Sequence, residues 1–217
     1  MNHAPANAPD APAAAAPDDL PVLTGERVRL RGFCEGDLPD FFSVHSDPAV
    51  NRYWSFPAWT DIAQARDYFA DAIAARDATR MLCWVIAERD SDRLIGAATL
   101  CAIHREQGRA EIGYALRSSH WGRGYAHEAL QLVLTHAFDG LALRRVEADI
   151  DPRNRASCRL AERLGFVREG LLRERWQVAG ELCDSALYGL LAREWRAVVT
   201  RDQAASSAGS CAGLATR

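Results

Sequence analysis

The 217-residue sequence contains no run of about 18 apolar residues, so no segment reads as a membrane-crossing helix and no membrane partner is expected. Its first residues have neither a positive n-region nor an unbroken apolar h-region, which makes the cytoplasm the expected location. Basic excess is missing as well: 26 Lys and Arg against 29 Asp and Glu leave a formal charge of -3. General nucleic-acid binding relies on a basic surface that neutralises phosphates, so that function class is set aside. The six cysteines, Cys34, Cys83, Cys101, Cys158, Cys183 and Cys211, form no C-x-x-C pair and have no histidine at metal-ligand spacing. They read as reduced, mostly small core hydrophobes, and no metal is expected. Two phosphate-loop patterns are also incomplete. Gly122-x-Gly124 is followed by His127 where a dinucleotide-binding loop has its third Gly or Ala, and no Gly-Lys-Ser/Thr closes a P-loop.

What is present reads as one domain over residues 22–199 between two tails. Residues 1–21 are nearly all Ala, Pro and Asp, and residues 200–217 are rich in Ala, Ser and Gly. Neither tail buries enough apolar surface to offset its ordering entropy, so both are expected to be disordered. Between them, Glu26 to Arg31 alternates as a first strand, and Asp37 offers an N-cap for a short helix through Phe41 and Val44. A second helix, opened by Thr60 and Asp61, carries Ile62, Ala65, Phe69 and Ile73 on one stripe. Strands follow at Leu82–Glu88, Leu94–Leu100 and Arg109–Arg117, then a helix from His127 to Phe138 stopped by Asp139-Gly140. Arg145–Ile150 is a fifth strand, and Asn154 caps a helix ending at Gly165. Phe166-Val167 and residues 185–191 close the sheet before a short terminal helix near Trp195. The order β-α-α-β-β-β-α-β-α-β-β predicts an α/β (α+β) fold, a mixed sheet with helices on its faces.

The most informative stretch is His120-Trp121-Gly122-Arg123-Gly124-Tyr125-Ala126, between the third predicted sheet strand of the middle group and a helix start. A strand that turns through two glycines into a helix presents bare backbone N–H groups and the positive end of the helix dipole. That makes an anion site without side chains.

Trp121-Gly122-Arg123-Gly124-Tyr125-Ala126 resembles the pyrophosphate loop of the GNAT acetyltransferase superfamily, Gln/Arg-x-x-Gly-x-Gly/Ala, except that Trp121 stands at the first position. The Trp-led form is similar to the Rim-type subgroup, which acetylates ribosomal-protein N-termini and includes many relatives. Asp151-Pro152-Arg153-Asn154-Arg155-Ala156-Ser157, Leu164-Gly165-Phe166, Glu169-Gly170, and Asp184 with Leu187 to Leu191 resemble later parts of the same subgroup. The likeness spans about Thr24 to Trp195. It implies a single GNAT domain with a central, mostly antiparallel mixed sheet and acetyl-CoA as co-substrate. It also implies direct acetyl transfer in a ternary complex to a primary amine, either a protein N-terminus or a small molecule. A monomer or homodimer is expected.

By the same resemblance, Leu116 and Arg117 lie beside the pantetheine arm, and the pyrophosphate sits over the backbone of Trp121, Gly122, Arg123, Gly124, Tyr125 and Ala126. Asn154 contacts pantetheine, although an N-cap role explains it equally. Glu111 is the first candidate for the base, against the alternative of a solvent-facing strand glutamate. Ser157 matches a serine that hydrogen-bonds the leaving thiolate, against an ordinary first-turn serine. Tyr188 is an outside candidate for proton donor, against a core tyrosine. Arg123 reads either as a phosphate contact or as a solvated arginine, and His120 and His127 read as exposed loop and helix residues rather than catalysts. The aromatic connector Asn51 to Trp59 is a candidate acceptor wall. One departure stands out: where some Rim-type members carry a carboxylate base after Glu169-Gly170, this chain has Trp176. That leaves Glu111, a shifted glutamate or water as the base, and a catalytically weak acetyl-CoA-binding sensor as the alternative function.

Overall fold

The computed structural model describes residues 20–77 and 80–200. Of the expected tails, residues 1–19 and 201–217, and Cys211 with them, lie outside the described residues, whereas Leu20 packs against the core, the Pro21 carbonyl accepts from Trp84 and Thr200 belongs to the last helix. The strands are β1 (Leu23–Thr24), β2 (Val28–Arg31), β3 (Leu82–Glu88), β4 (Leu94–His104), β5 (Arg109–Leu116), β6 (Arg145–Ile150), β7 (Val167–Val178) and β8 (Glu181–Leu191). The helices are α1 (Leu38–His45), α2 (Pro48–Asn51), α3 (Ile62–Asp77), α4 (Tyr125–Thr135) and α5 (Arg155–Arg163), and residues 192–200 form a further helix. The expected order is therefore present, with β1 and the short α2 added to it.

All strands join one sheet in the order β1-β2-β3-β4-β5-β6-β8-β7. Every pairing is antiparallel except β5 with β6, which are joined by the α4 crossover. Strand alternation divides the core in two. Trp84 and Ile86 of β3 pack with Val133, Leu134 and Phe138 beneath α4, whereas Val85 and Ala87 face Phe41, Val44 and Phe69 of α1 and α3. Phe41 and Phe69 stack at 4.6 Å between ring centroids.

Four local readings are corrected. The buried stripe of α3 is Ala65, Phe69 and Ala72, at i, i+4, i+7 spacing, whereas Ile62 and Ile73 are 39% and 46% exposed. Asp37 does precede α1, but its carboxylate accepts from Arg31 Nη1 at 2.7 Å instead of capping the helix. The closing strands form a hairpin much longer than expected, because β7 is exposed along almost its whole length and carries no apolar alternation. Its turn uses Ala179 (φ 49°) and Gly180 (φ 88°), the positive pair a tight two-residue hairpin requires. Finally, among the five described cysteines, all free, only Cys83 and Cys158 are buried; Cys101 and Cys183 are half-buried and Cys34 is exposed.

The feature that positions the site lies between β5 and β6. Their parallel pairing runs from Arg109/Arg145 to Glu111/Glu147 and stops, while β5 continues to Leu116 and β6 to Ile150. Beyond Glu111 the strands separate, and β5 keeps β4 on one edge and leaves its other edge unpaired.

Candidate functional site

The separation opens a cleft of about 510 Å³. Glu111, Gly113 and Tyr114 of β5 line it, facing Asp149 of β6, Asn154 and Ser157 of α5, Tyr53 and Trp54 of the connector, and Trp176 and Asp184 of the β7–β8 hairpin. Three residues singled out from sequence, Glu111, Asn154 and Ser157, thus share one cavity although they come from two elements.

Glu111 sits at the apex, the last residue of β5 to be paired with β6. It is half-buried, and among the described residues no hydrogen bond or ion pair holds its carboxylate. Burial raises its pKa first, the neighbouring charges of Asp149 and Glu147 raise it further, and Arg175 opposes them. A carboxyl so placed is a better proton acceptor near neutral pH than an ordinary glutamate.

Asn154 is the N-cap of α5, its Oδ1 accepting from the Ser157 backbone N–H at 3.1 Å. The Ser157 hydroxyl shares a hydrogen bond of 2.8 Å with the hydroxyl of Tyr114. Tyr114 was legible only as a strand aromatic; its signal was a phenol three positions after Glu111, on the opposite face of β5. Burial pushes the Tyr114 phenol up, so it remains a donor. Tyr188 lies elsewhere: it is buried in the core, and its hydroxyl donates to Glu162 Oε1 at 3.3 Å. Desolvation, with Cys158 and Glu162 nearby, pushes it up to about 12. It is not among the described residues that line the cleft.

The glycine loop folds as a left-handed turn into α4. Gly122 has φ +70° and Gly124, the N-cap, φ +85°, conformations that favour glycine. A side chain at Gly122 would meet open space, so the loop backbone is open to a ligand there. The first helical bond of α4 runs from Glu128 N–H to the Gly124 carbonyl at 3.1 Å, which leaves the N–H groups of Tyr125 and Ala126 without an acceptor inside the helix. Arg27, the residue before β2, braces the loop: its Nη1 donates to the Arg123 carbonyl at 2.7 Å and its Nε to Glu128 Oε2 at 2.9 Å. Nothing in the local sequence signals this clamp.

Trp121 takes a definite part. Its ring is 48% exposed, and its Nε1 donates to the Leu116 carbonyl at 2.7 Å, tying the loop to the end of β5. Leu116 is itself buried, and Arg117 is turned away, ion-paired with Asp40 Oδ1 at 2.8 Å. Arg123 leans over the Tyr125 ring at 5.3 Å. The expectation of exposed histidines is corrected: His120 and His127 are half-buried, and His120 Nε2 lies 3.2 Å from Glu88 Oε1. The connector divides, Trp59 and Phe56 packing in the α1–α3 core, Tyr53 reaching the cleft and Trp54 bridging the two. Trp121→Phe keeps an aromatic ring and removes one hydrogen bond, so if the loop holds acetyl-CoA as the resemblance implies, KM for acetyl-CoA is expected to rise about 3- to 10-fold with kcat little changed. Steady-state kinetics against acetyl-CoA concentration measures this.

A family model for an acetyltransferase (GNAT) domain matches residues 27–167. The uncharacterized N-acetyltransferase p20 of Bacillus licheniformis is 37% identical over 179 residues, covering 81% of this chain and 99% of that protein. Among solved structures, Mycobacterium smegmatis RimJ in complex with CoA-disulfide superposes with TM-score 0.72 at 26% identity, covering 82% of this chain and 89% of that one. A GCN5-related N-acetyltransferase from Brucella melitensis gives TM-score 0.75 at 25% identity, covering 87% and 86%. Among the described residues no helix is long and apolar enough to cross a membrane.

Proposed function

The chain belongs to the GNAT acetyltransferase family and is an acetyl-CoA-dependent N-acetyltransferase; from that premise we propose that it acetylates a primary amine directly, in a ternary complex, with Glu111 as the base. One observation carries the reading: an unpartnered, half-buried carboxylate stands at the apex of the β5–β6 separation, in the same cleft as Ser157.

The chemistry follows from the acceptor. An aliphatic ammonium has a reference pKa of about 10.4, so at neutral pH a proton must leave before nitrogen can attack. Glu111 takes that proton, the N–C bond forms, the C–S bond breaks, and the second proton that leaves the nitrogen goes to the departing sulfur as the thiol. The departing thiolate accepts a hydrogen bond from Ser157, which Tyr114 backs with its own hydroxyl. The free edge of β5 from Ile112 to Leu116 provides backbone partners for the pantetheine arm, and the turn at Gly122 to Ala126 provides N–H groups for the pyrophosphate.

The test is thiol release from acetyl-CoA with a panel of spermidine, benzylamine and free-amino tetrapeptides. All 26 basic residues of the chain are arginine, so acetylation of its own lysines contributes no background. Amine-dependent thiol release is expected. Saturable coenzyme binding without release for any amine would instead mark a sensor.

A further inference from the structure

Trp176 faces a carboxylate that belongs to another strand. The Trp176 Nε1 donates to Oδ2 of Asp149 at 3.4 Å, and the other oxygen of Asp149 accepts from the hydroxyl of Ser185, a side chain with no solvent exposure. Asp149 is thus held from two sides by residues of the β7–β8 hairpin. It lies on β6 two positions past Glu147, the residue paired with Glu111. Because strand side chains alternate, Glu147 and Asp149 share a face. Extending the parallel register places Asp149 across the opening from Gly113, where a side chain would meet nothing within 4 Å. Glu111, Gly113 and Asp149 therefore bound a gap with one carboxylate at its apex, a second on its far lip and no side chain on the third position.

The two carboxylates differ in ways that divide their work. Glu147, their neighbour, is ion-paired with Arg145 at 2.7 Å, whereas neither Glu111 nor Asp149 forms an ion pair among the described residues. Asp149 already accepts two hydrogen bonds and Glu111 accepts none. A carboxylate engaged by fixed donors is oriented to hold a cation, and a bare one nearby is free to take a proton.

We propose that Asp149 binds the acceptor ammonium in the gap over Gly113, beside Glu111, as the acceptor-recognition residue of this enzyme. Trp176 and Ser185 position it. The proposal rests on the acetyltransfer reading above, and the experiment separates the two.

With the amine from the panel that the native enzyme turns over best, Asp149→Asn should raise KM for the amine on the order of tenfold, the scale of a hydrogen bond to a charged group. KM for acetyl-CoA should stay within about twofold, which also shows that the coenzyme half of the fold is intact. Trp176→Phe removes one positioning donor from a partly exposed side chain and should raise the amine KM about threefold, leaving acetyl-CoA KM unchanged; it carries the test if the Asn variant does not fold. An unchanged amine KM in both variants overturns the proposal, as does a fall in kcat at constant amine KM, which would make Asp149 a proton acceptor. Absence of thiol release by the native enzyme with every amine overturns the acetyltransfer reading itself, and this proposal with it.

Discussion

Glu111→Gln is expected to lower kcat by about 10²- to 10⁴-fold, the usual contribution of a positioned general base, while KM for acetyl-CoA stays within about twofold. The amide keeps the size and hydrogen-bonding reach of the side chain but cannot take a proton. It leaves the glycine loop and the free edge of β5 untouched, so the loss belongs to proton transfer. The native pH profile should carry the same signature. Desolvation and the charges of Asp149 and Glu147 raise the Glu111 pKa, so the acid limb of kcat/KM should fall at a pH above the ordinary carboxylate range and should be absent in the Gln variant. Stability should change in the opposite direction. In the window between the ordinary glutamate value and the raised folded value, the native state holds a proton that the unfolded state has lost. Stability therefore declines as pH rises through that window. Glu111→Gln removes this decline and should melt slightly higher than the native enzyme at neutral pH. A variant that lost activity and melted lower would indicate that Glu111 supports the fold and not the proton transfer.

The glycine loop and the cap of α5 were legible because their determinants are local. Gly122 and Gly124 adopt positive φ that few other residues tolerate, and Asn154 bonds a backbone N–H three residues away, so short patterns carry both. The rest of the site was not, because its contacts join residues far apart in the chain. Tyr114 meets Ser157, Trp176 meets Asp149, and Arg27 meets Glu128 only once the sheet has formed. Trp176 shows the effect most clearly: read alone it is a missing carboxylate, and in the fold it is a donor to one. The long hairpin that brings it there is hidden in the sequence for a related reason, since a strand exposed on both faces has no hydrophobic period.

Gly124→Asp tests the anion site most severely, and comparison with Gly124→Asn isolates charge from shape. Both side chains must adopt φ +85° at the N-cap of α4, a conformation Asn and Asp tolerate better than most, and both bring a Cβ to 2.9 Å from Arg27 Nη2. Arg27 is tethered to the Arg123 carbonyl and to Glu128, so it cannot swing aside without loosening the loop. That shared cost should raise KM for acetyl-CoA about tenfold in the Asn variant, by the strain typical of such backbone positions. The aspartate adds a negative charge among the N–H groups that would otherwise face the pyrophosphate. Competition for those donors, with like-charge repulsion, should carry the KM increase to about 100-fold or more. The helix itself should not suffer, since an aspartate at an N-cap favours it, so the Asp variant should melt no lower than the Asn variant. Salt provides the final discrimination. Raising ionic strength from about 0.01 M to about 1 M shortens the screening length from about 30 Å to about 3 Å and should narrow the Asp-to-Asn ratio of KM values. Equal KM values for the two variants would place the pyrophosphate away from the start of α4.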